Sequence, residues 1–355
     1  MKIGIPTEIK VLEGRVGLIP EAAGELTKRG HDVVIQTGAG LLSGYKDSDY
    51  ETVGVKIVSD AATVYGLSEM IIKVKEPVGP ELDLLQKHHL LFSYLHLAAA
   101  PELTRKLQDI GLIGVAFETV EDSAGRLPLL APMSDIAGRL AVQIGTHLLH
   151  MPQGGRGILL GGLPAAERGH VVIIGGGMAG GNAAIVAASL GANVTIFDRN
   201  RDKLEHLRSL GANVTALYPY EQAIREAVAS ADLLIGAALT VGEKAAHIVS
   251  EDMVRAMQPG SVIVDISVDQ GGCIATTKPT TYENPTFVWE GVTHFGVTNM
   301  PGAVPRSASQ ALSAAIIPYM LKLVEKGWEK DPQLAKGINV RGGDIIHPAV
   351  LASVG

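Results

Sequence analysis

The sequence contains little cysteine, few aromatic residues and no cluster of positive charge. Its one cysteine, Cys273, excludes an internal disulfide and is typical of a reducing compartment. Aromatic residues make up 4% of the chain, the net charge is −7, and there is no run of Lys and Arg that would indicate a nucleic-acid or membrane-surface partner. The first residues, MKIGIPTEIK, lack the apolar region of a signal peptide. We therefore expect a cytoplasmic protein that acts on small molecules.

Hydrophobic residues and glycines, in contrast, are abundant. Hydrophobic residues make up 46% of the chain and there are 42 glycines, which suits buried parallel sheets joined by tight turns. A length of 355 residues is long for one hydrophobic core and sufficient for two domains. These features predict an α/β protein.

The most informative stretch is VVIIGGGMAGGNAAIVAASLGANVTIFD, residues 171–198. It reads as an apolar strand, a glycine turn, a helix, a second strand and a carboxylate. Gly175, Gly177 and Gly180 have the GxGxxG spacing. The first permits a tight turn, the second lets a pyrophosphate approach the backbone, and the third lets the helix pack on the strand. The pattern predicts a dinucleotide site at the N-terminus of the helix.

Asp198 indicates which dinucleotide binds. An acidic side chain roughly 20 residues after the glycine turn accepts hydrogen bonds from the ribose hydroxyls and repels a 2′-phosphate. This favours NAD over NADP. Arg199 and Arg201 follow directly and offer charge that can hold the extra phosphate, so NADP stays open as the second choice.

The same stretch allows a second interpretation, a membrane span. Residues 171–197 contain no charge and no histidine, over a length greater than the ~20 residues that cross a bilayer. Glycines and asparagines interrupt the run, however, and its ends are β-branched rather than leucine-rich. We therefore favour the nucleotide-binding interpretation and expect no membrane partner.

Strands and helices alternate along the first part of the chain. We predict strands at 2–6, 31–36, 70–75, 90–96 and 112–117, and a helix at 20–29 that begins with Pro20 and ends before Gly30. These elements form one α/β domain over residues 1–128.

The dinucleotide unit belongs to a second domain, residues 129–304. This domain opens with a helix at 134–150, capped by Ser134, and continues after residue 170 with strands that include 213–216, 232–236, 261–268 and 286–289. After Pro305 a further helix leads into a tail too short for a core of its own, so we assign residues 305–355 to the first domain. The predicted fold class is two Rossmann-like, doubly wound domains with mostly parallel sheets, the first discontinuous in sequence.

Three charged or titratable side chains of the first domain lie at strand ends, where open α/β sheets bind their ligands. Lys75 and His96 end predicted strands, and Arg15 lies in the loop after the first strand. Alternation places Tyr94 on the same face as His96. Each residue has an ordinary alternative: Arg15 as a solvated charge, Lys75 in a surface ion pair, and His96 packed against backbone. Their joint placement favours a site.

The strand SVIVDISVDQGG carries two aspartates, which are costly to bury without partners. Alternation places Asp265, Ser267 and Asp269 on one face, with Asp269 at the carboxyl end. For Asp265, a functional role and a hydrogen bond that caps the glycine turn are equally open, whereas Asp269 fits a functional role better.

Several motifs stand in order along nearly the whole chain: GIPTEIKVLEGRVGLIP, KVKEP, YLHLAA, APMSDIAGRLA, GGGMAG, GAALTVGEKA, VDISVDQGGC, TTYENPTF and NMPGAVPRSAS. Together they closely resemble the NAD-dependent alanine dehydrogenase family, and the set is far more specific than any single motif. One departure is Pro219, between Tyr218 and Tyr220, where the family often supplies a hydroxyl for the adenosine end of the dinucleotide.

The resemblance implies a role for particular side chains and no metal site. Four residues bind or border the substrate, namely Arg15, Lys75, Tyr94 and Met300, and two handle protons, namely His96 and Asp269. The NAD contacts that it implies are Ser134, Gly175, Gly177, Met178, Ala179, Gly180, Asp198, Lys203, Ala238, Leu239, Ile266, Ser267, Val268, Lys278, Val297, Thr298, Asn299 and Met300.

The resemblance also implies the reaction, a reversible oxidative deamination of L-alanine to pyruvate and ammonium with hydride transfer to NAD. It further implies a homo-oligomer, commonly a hexamer. Two alternatives are a transhydrogenase-type NAD(H)-binding subunit that does not oxidise an amino acid and a nonenzymatic NAD-sensing protein. Neither needs Arg15, Lys75, His96 and Asp269 together, so the presence of all four favours the enzyme.

Overall fold

The computed structural model describes residues 1–238 and 247–354, which form two compact units. Unit 1 comprises Met1–Met133 and Gly302–Gly355, and unit 2 comprises Ser134–Pro301. Each unit is built on one mostly parallel sheet with helices. The predicted fold class, two α/β domains of which the first is discontinuous, is confirmed.

Unit 1 has an eight-stranded sheet in the order β15-β14-β6-β5-β4-β1-β2-β3. Its central strands read MII and LLFS and are buried on both faces, as expected for a parallel sheet covered by helices. The last two strands run antiparallel at one edge. The strands are β1 (Lys2–Ile5), β2 (Asp32–Gln36), β3 (Lys56–Val58), β4 (Met70–Ile72), β5 (Leu90–Ser93), β6 (Ile113–Ala116), β14 (Ile338–Arg341) and β15 (Asp344–Ile345).

Helices from both ends of the chain complete unit 1. The hydroxyls of Ser309 and Ser313 accept the backbone N–H groups of Val16 and Ile19 at 3.0 Å each, which ties the late helix α11 to the first loop. The helices are α1 (Pro20–Thr27), α2 (Asp47–Glu51), α3 (Ala61–Leu67), α4 (Glu81–Leu84), α5 (Pro101–Ile110), α11 (Pro305–Leu323), α12 (Pro332–Gly337) and α13 (Pro348–Val354).

Unit 2 has a seven-stranded sheet in the order β12-β13-β11-β10-β7-β8-β9. Without the antiparallel edge strand β12, this is the strand order of dinucleotide-binding domains, with β7 at the centre. Its strands are β7 (His170–Ile174), β8 (Asn193–Phe197), β9 (Val214–Leu217), β10 (Leu233–Gly236), β11 (Val262–Asp265), β12 (Thr286–Trp289) and β13 (Val292–Phe295).

The helices of unit 2 cover both faces of this sheet. One core cluster packs Val172 and Ile263 of the sheet against Ile224, Val228 and Met253. The helices are α6 (Ala131–Leu148), whose first three residues belong to unit 1, α7 (Met178–Ser189), α8 (Arg201–Arg208), α9 (Glu221–Ala229) and α10 (Glu251–Arg255). Within the described ranges, no helix has the length and apolar character needed to cross a bilayer.

Several predicted boundaries are wrong. The strands predicted at 70–75, 90–96 and 261–268 end at Ile72, Ser93 and Asp265. Carboxylates accept the backbone N–H groups that follow these ends: Glu8 accepts that of Val74, Glu118 that of His96, and Asp265 that of Ser267. Helix α6 begins at Ala131, with Pro132 in its first turn, so Ser134 lies inside the helix and is not its N-cap. The strands β3, β13, β14 and β15 were not predicted.

Candidate active site

The glycine turn of unit 2 joins β7 to α7 and leaves room for a ligand. Gly175 has φ +103°, and a Cβ there would lie 2.7 Å from the carbonyl oxygen of Ala237. A Cβ on Gly180 would lie 1.8 Å from the Gly175 oxygen. At Gly177, where α7 begins, no heavy atom lies within 4 Å of the place that a Cβ would take. Two glycines therefore serve packing, and the third leaves the helix N-terminus open to a ligand.

Asp198 lies beside this turn, directly after β8. Its Oδ2 accepts the backbone N–H of Gly176 at 2.8 Å, and its Oδ1 accepts that of Asn200 at 2.8 Å. Lys203 Nζ lies 3.7 Å from the same Oδ2. Each carboxylate oxygen has two lone pairs, so Asp198 can also accept hydrogen bonds from ribose hydroxyls. The structure thus brings the turn, Asp198 and Lys203 together, while Arg199 is exposed nearby.

Most other predicted dinucleotide contacts follow the carboxyl ends of β10, β11 and β13. These strands lie side by side with β7 and parallel to it, so the residues after them gather at the edge of the sheet that carries the glycine turn. Leu239 lies outside the described residues. The residues at this edge are Ala238, Ile266, Ser267, Val268, Val297, Thr298, Asn299 and Met300.

The remaining predicted contacts lie on other elements of unit 2. Met178 and Ala179 are the first two residues of α7, and the Met178 side chain is 52% exposed. Ser134 lies in the first part of α6 and is partly exposed. Lys278 is exposed, with its ammonium 4.6 Å from the centre of the Phe287 ring.

The two aspartates of β11 and the following turn have different surroundings. Asp265 is fully buried, and its Oδ1 accepts the hydroxyl of Ser267 at 2.7 Å while its Oδ2 accepts the backbone N–H of Cys273 at 3.1 Å and the hydroxyl of Thr277 at 2.8 Å. These hydrogen bonds give Asp265 the turn-capping role that was left open. Asp269 is exposed in a 3-10 turn, Val268–Gln270, so the prediction that both aspartates share one strand face is wrong.

In unit 1, Arg15 is buried and bound by Glu13. The Nε and Nη2 groups of Arg15 donate to the two oxygens of Glu13 at 2.6 and 2.5 Å, and Nη1 lies 3.2 Å from Met133 Sδ. Burial alone would lower the pKa of Arg15. The hydrogen bonds and the charge of Glu13 outweigh burial, so the pKa of Arg15 is raised above its ordinary value. Arg15 is therefore a fixed cation and not a solvated loop charge, with only 3% of its surface exposed.

Lys75 follows β4, the strand next to β1. Burial lowers the pKa of Lys75, the charge of Glu76 opposes this, and the charges of Arg15 and Lys10 lower the pKa further. Glu76 hydrogen-bonds to Lys10, so the predicted alternative of a simple surface pair between Lys75 and Glu76 does not describe this site. Two cationic side chains in the segments that follow adjacent strands thus influence each other, an arrangement that suits an anionic ligand.

The backbone around Lys75 is held by a buried carboxylate. Glu8 Oε1 accepts the backbone N–H of Val74 at 2.6 Å, and Oε2 lies 3.3 Å from that of Lys75. Lys73 donates to Glu8 at 3.3 Å and also hydrogen-bonds to Glu81. Burial raises the pKa of Glu8, although the charge of Lys73 opposes this. The network fixes the course of the chain between β4 and Lys75.

His96 follows β5, which neighbours β4. It has φ 49° and ψ 37°, a left-handed conformation that costs a non-glycine residue about 1–3 kcal/mol. Its ring stacks on that of Tyr94 with centroids 5.9 Å apart and planes 10° apart. Burial raises the pKa of Tyr94, whose hydroxyl donates to the carbonyl of Leu129 at 2.6 Å. The expected strand alternation is wrong here, yet Tyr94 and His96 still lie against each other.

Three glutamates that were not predicted from the sequence, Glu8, Glu13 and Glu118, hold these side chains or their backbone. Glu118 accepts the backbone N–H of His96 at 2.6 Å. The only available signal was general: a buried cation needs a carboxylate partner, and Glu13 precedes Arg15 by two residues. Within the ranges that the structure describes, no group of three or more His, Cys, Asp or Glu residues is arranged to hold a metal ion.

The strand order of unit 2, its glycine turn and the carboxylate after β8 define the class: a Rossmann-type nucleotide-binding protein with a second α/β unit. Two family models refine this. The N-terminal domain of "Alanine dehydrogenase/PNT" matches residues 4–137, and its C-terminal domain matches residues 141–348. The chain therefore belongs to the alanine dehydrogenase/PNT family.

Relatives match over the full chain. The alanine dehydrogenase of Halomonas elongata is 46% identical over 360 residues, covering 100% of this chain and 97% of that protein. The one from Bacillus subtilis is 47% identical over 362 residues, covering 100% and 95%. A solved L-alanine dehydrogenase is 50% identical with a TM-score of 0.96 over 99% of each chain. A transhydrogenase from Sinorhizobium meliloti is 26% identical with a TM-score of 0.85, covering 98% of this chain and 100% of that one.

Proposed function

We propose that this protein catalyses the reversible oxidative deamination of L-alanine to pyruvate and ammonium, with NAD as the hydride acceptor. The observation that carries the proposal is the set of Arg15, Lys75 and His96 after three adjacent strands, β1, β4 and β5, in a chain related over its full length to alanine dehydrogenases. Cationic anchors for a carboxylate beside an imidazole suit a small amino or keto acid.

The residues of unit 2 fit a dinucleotide. The open space at Gly177 suits a pyrophosphate at the N-terminus of α7, and Asp198 is placed to accept ribose hydroxyls. The carboxylate of Asp198 also disfavours a 2′-phosphate, which supports NAD over NADP, whereas Arg199 and Arg201 keep NADP the second choice. A bound nicotinamide would supply the hydride acceptor, and the protein supplies orientation and proton transfer.

Arg15 and Lys75 orient the substrate in this proposal. The guanidinium of Arg15 is fixed by Glu13, so it binds a carboxylate without losing much side-chain freedom. The partly desolvated ammonium of Lys75 binds the second anionic or carbonyl oxygen. Fixing the substrate at two of its oxygen atoms presents one Cα hydrogen in a defined direction, and such positioning makes the transfer effectively unimolecular. Tyr94 and Met300 border the methyl group.

Proton transfer is assigned jointly to His96 and Asp269. Loss of a hydride from the neutral amino group form of the substrate leaves an iminium ion. Water adds to this ion, a base accepts the proton of that water, and an acid then protonates the amine as it departs. An imidazole performs either step near neutral pH. The exposed Asp269 accepts a proton or orients the amine. We further infer a homo-oligomer, a hexamer, from the family resemblance.

The test is NADH formation at alkaline pH with L-alanine, beside glycine, L-serine and D-alanine, and with NADP in place of NAD. We expect L-alanine and NAD to give the highest kcat/KM. His96→Ala and Asp269→Asn should each lower kcat by about 100-fold or more, the usual scale of general acid–base catalysis, while NADH binding, followed by fluorescence, persists. The matched controls His150→Ala and Asp252→Asn change exposed residues on other elements and should leave kcat unchanged.

No turnover with any of the four amino acids, together with intact NADH binding, would contradict the proposal. That result would favour a transhydrogenase-type subunit, the class of the 26% identical solved chain. Normal turnover in either site variant would remove that residue from the proton-transfer pair.

A further inference from the structure

His96 occupies a conformation that its own sequence does not favour. Its φ of 49° places a residue with a side chain in the left-handed region, directly before a 3-10 turn, Leu97–Ala99. Such a conformation persists only where the surrounding structure holds it, and it is frequent at functional sites. The groups that hold His96 therefore control where its imidazole lies.

Glu118 holds the backbone of His96. Its Oε1 accepts the backbone N–H of His96 at 2.6 Å, and its two oxygens lie 3.3 and 3.2 Å from the backbone N of Leu95. Hydrogen bonds to a carboxylate are shorter and stronger than those to a neutral oxygen. Without Glu118, two N–H groups past the end of β5 would lose these acceptors, and the left-handed turn would lose its restraint.

The same segment also supports the ring beneath the imidazole. Glu118 lies in a 3-10 turn, Phe117–Thr119, which follows β6, the neighbour of β5. Phe117 packs edge-on against Tyr94 with centroids 5.0 Å apart, and Tyr94 stacks on His96. The hydroxyl of Tyr94 is fixed by Leu129. Two consecutive residues of one turn thus hold the backbone of His96 and, through Tyr94, its ring.

We propose that Glu118 is a positioning residue for His96: its carboxylate holds the left-handed backbone that places the imidazole on the Tyr94 ring for proton transfer. This rests on the proposed function, in which His96 moves the proton. Glu118 acts through the backbone of its neighbour and need not touch the substrate.

The experiment compares Glu118→Ala, Glu118→Gln and Glu121→Ala in the full-length protein. Displacement of a catalytic group by about 1 Å costs on the order of 100-fold in rate, so we expect that loss of kcat in Glu118→Ala. Glu118→Gln keeps one oxygen acceptor, so its kcat should be about tenfold higher than that of Glu118→Ala. This is the usual scale of the difference that a charged or neutral hydrogen-bond acceptor makes. KM for L-alanine should change little, because Arg15 and Lys75 bind the carboxylate.

Glu121→Ala is the matched control. Glu121 lies three residues further on and pairs at 2.5 Å with Lys336 at the surface, away from the backbone of His96. We expect wild-type kcat and KM. Melting temperature and NADH binding are measured for every variant and show whether Glu118→Ala remains folded. If it does not, the kinetic comparison uses Glu118→Gln in its place.

A double-mutant cycle separates positioning from a general structural role. If Glu118 acts through His96, then Glu118→Gln should cost almost nothing further in a His96→Ala background, because the group that it positions is gone. The same loss of kcat in both backgrounds would overturn the proposal, as would a rise in KM with unchanged kcat.

A readout without turnover separates this proposal from the proposed function. The protein is labelled at the histidine Cε1 position, and the NMR signal of His96 is identified by its absence in His96→Ala. Glu118→Gln should change the chemical shift of this signal, whereas Glu121→Ala should not. If Glu118→Gln moves the His96 signal but the wild-type protein does not oxidise L-alanine, the positioning role stands and the proposed function fails. An unchanged His96 signal in an active Glu118→Gln variant refutes the positioning role alone.

Discussion

Three glutamates of unit 1 each hold a charged or titratable residue in the segments that follow β1, β4 and β5. Glu13 binds the guanidinium of Arg15, while Glu8 and Glu118 bind the backbone at Lys75 and His96. Glu8 and Glu13 are themselves buried. A buried carboxylate is costly unless it is paired, so these glutamates stay in place only while their partners do. The side chains of this site are thus mutually dependent.

His89 gives the stability of unit 1 a predictable dependence on pH. The backbone N–H of Gln86 donates to His89 Nδ1 at 2.9 Å, so this nitrogen carries no proton, and Nε2 donates to the carbonyl of Tyr65 at 3.0 Å. Burial lowers the pKa of His89, and the charge of His88 lowers it further. The folded chain therefore holds the neutral ring at a pH where the unfolded chain already binds a proton.

We predict that the free energy of unfolding falls as the pH drops below about 6.5, the ordinary histidine value, and continues to fall until the pH reaches the lowered pKa of His89. One such proton changes stability by at most about 1.4 kcal/mol per pH unit. Urea unfolding at pH 7.5, 6.5 and 5.5 should show a smaller loss in His89→Gln than in wild type. The exposed His150→Gln should behave as wild type, and equal slopes in all three proteins would contradict the prediction.

At the scale of elements, the glycine turn between β7 and α7 assigns a different role to each glycine. A Cβ on Gly180 would collide with the carbonyl oxygen of Gly175, whereas a Cβ on Gly181 would lie 3.8 Å from Leu207, an ordinary contact. A Cβ on Gly177 meets only open space. The three positions therefore separate the packing of the helix from the binding of a ligand.

We predict that Gly180→Ala destabilises the fold by about 1–3 kcal/mol, the usual cost of overpacking. Gly181→Ala is the matched control and should be neutral or stabilising by up to about 1 kcal/mol, because alanine favours a helix. Gly177→Ala should keep the wild-type melting temperature but weaken NADH binding. Thermal unfolding and NADH fluorescence titration measure both effects, and tight NADH binding by Gly177→Ala would place the pyrophosphate elsewhere.

The sequence predicted the elements whose cause is local and missed those whose cause is distant. The βαβ unit around Gly175 reads directly from apolar runs and glycine spacing. Strand β14 pairs antiparallel with β6, which is more than 200 residues away, and its sequence INVR has no clear alternation of its own. No local sequence pattern predicts a pairing between strands so far apart in the chain.

The predicted ends of several strands were wrong for a related reason. His96 and Asp269 were expected to continue strands, but carboxylates redirect the chain: Glu118 binds the backbone of His96, and Asp265 binds that of Cys273. The sequence shows that an acid is present and does not show which N–H group it meets. Positions of site residues along the chain were therefore more predictable than their local conformation.

For the whole molecule, the oligomeric state is the main open prediction. The small residues of α6 lie inside the fold: Ala137 and Ala141 are buried, and a Cβ on Gly145 would meet Leu233 of the same unit. In unit 1, Leu42 is 73% exposed and Val11 80% exposed. A Cβ on Gly14 would lie 3.0 Å from the Cβ of Leu42, so the segment that follows Val11 passes next to Leu42. Exposed apolar side chains that are neighbours in this way can form a patch, and such patches mark contact surfaces.

We predict a hexamer with a mass six times that of the chain, measured by light scattering at micromolar concentration. Leu42→Asp should reduce that mass, because burying a charge in an apolar contact is unfavourable. Leu42→Met, which keeps size and apolar character, should leave it unchanged. A monomeric wild type would contradict the hexamer, and an unchanged mass in Leu42→Asp would place the contact elsewhere.

The return of the chain to its first unit sets the order in which the nascent protein can mature. A ribosome delivers β6 early, but β14, which covers its edge, and α11, which binds the first loop, emerge only after all of unit 2. At ~5–20 residues per second, that edge waits roughly 10–45 s for its partner. During translation, unit 2 is therefore the first to close, and the β6 edge is where chaperones or neighbouring nascent chains gain access.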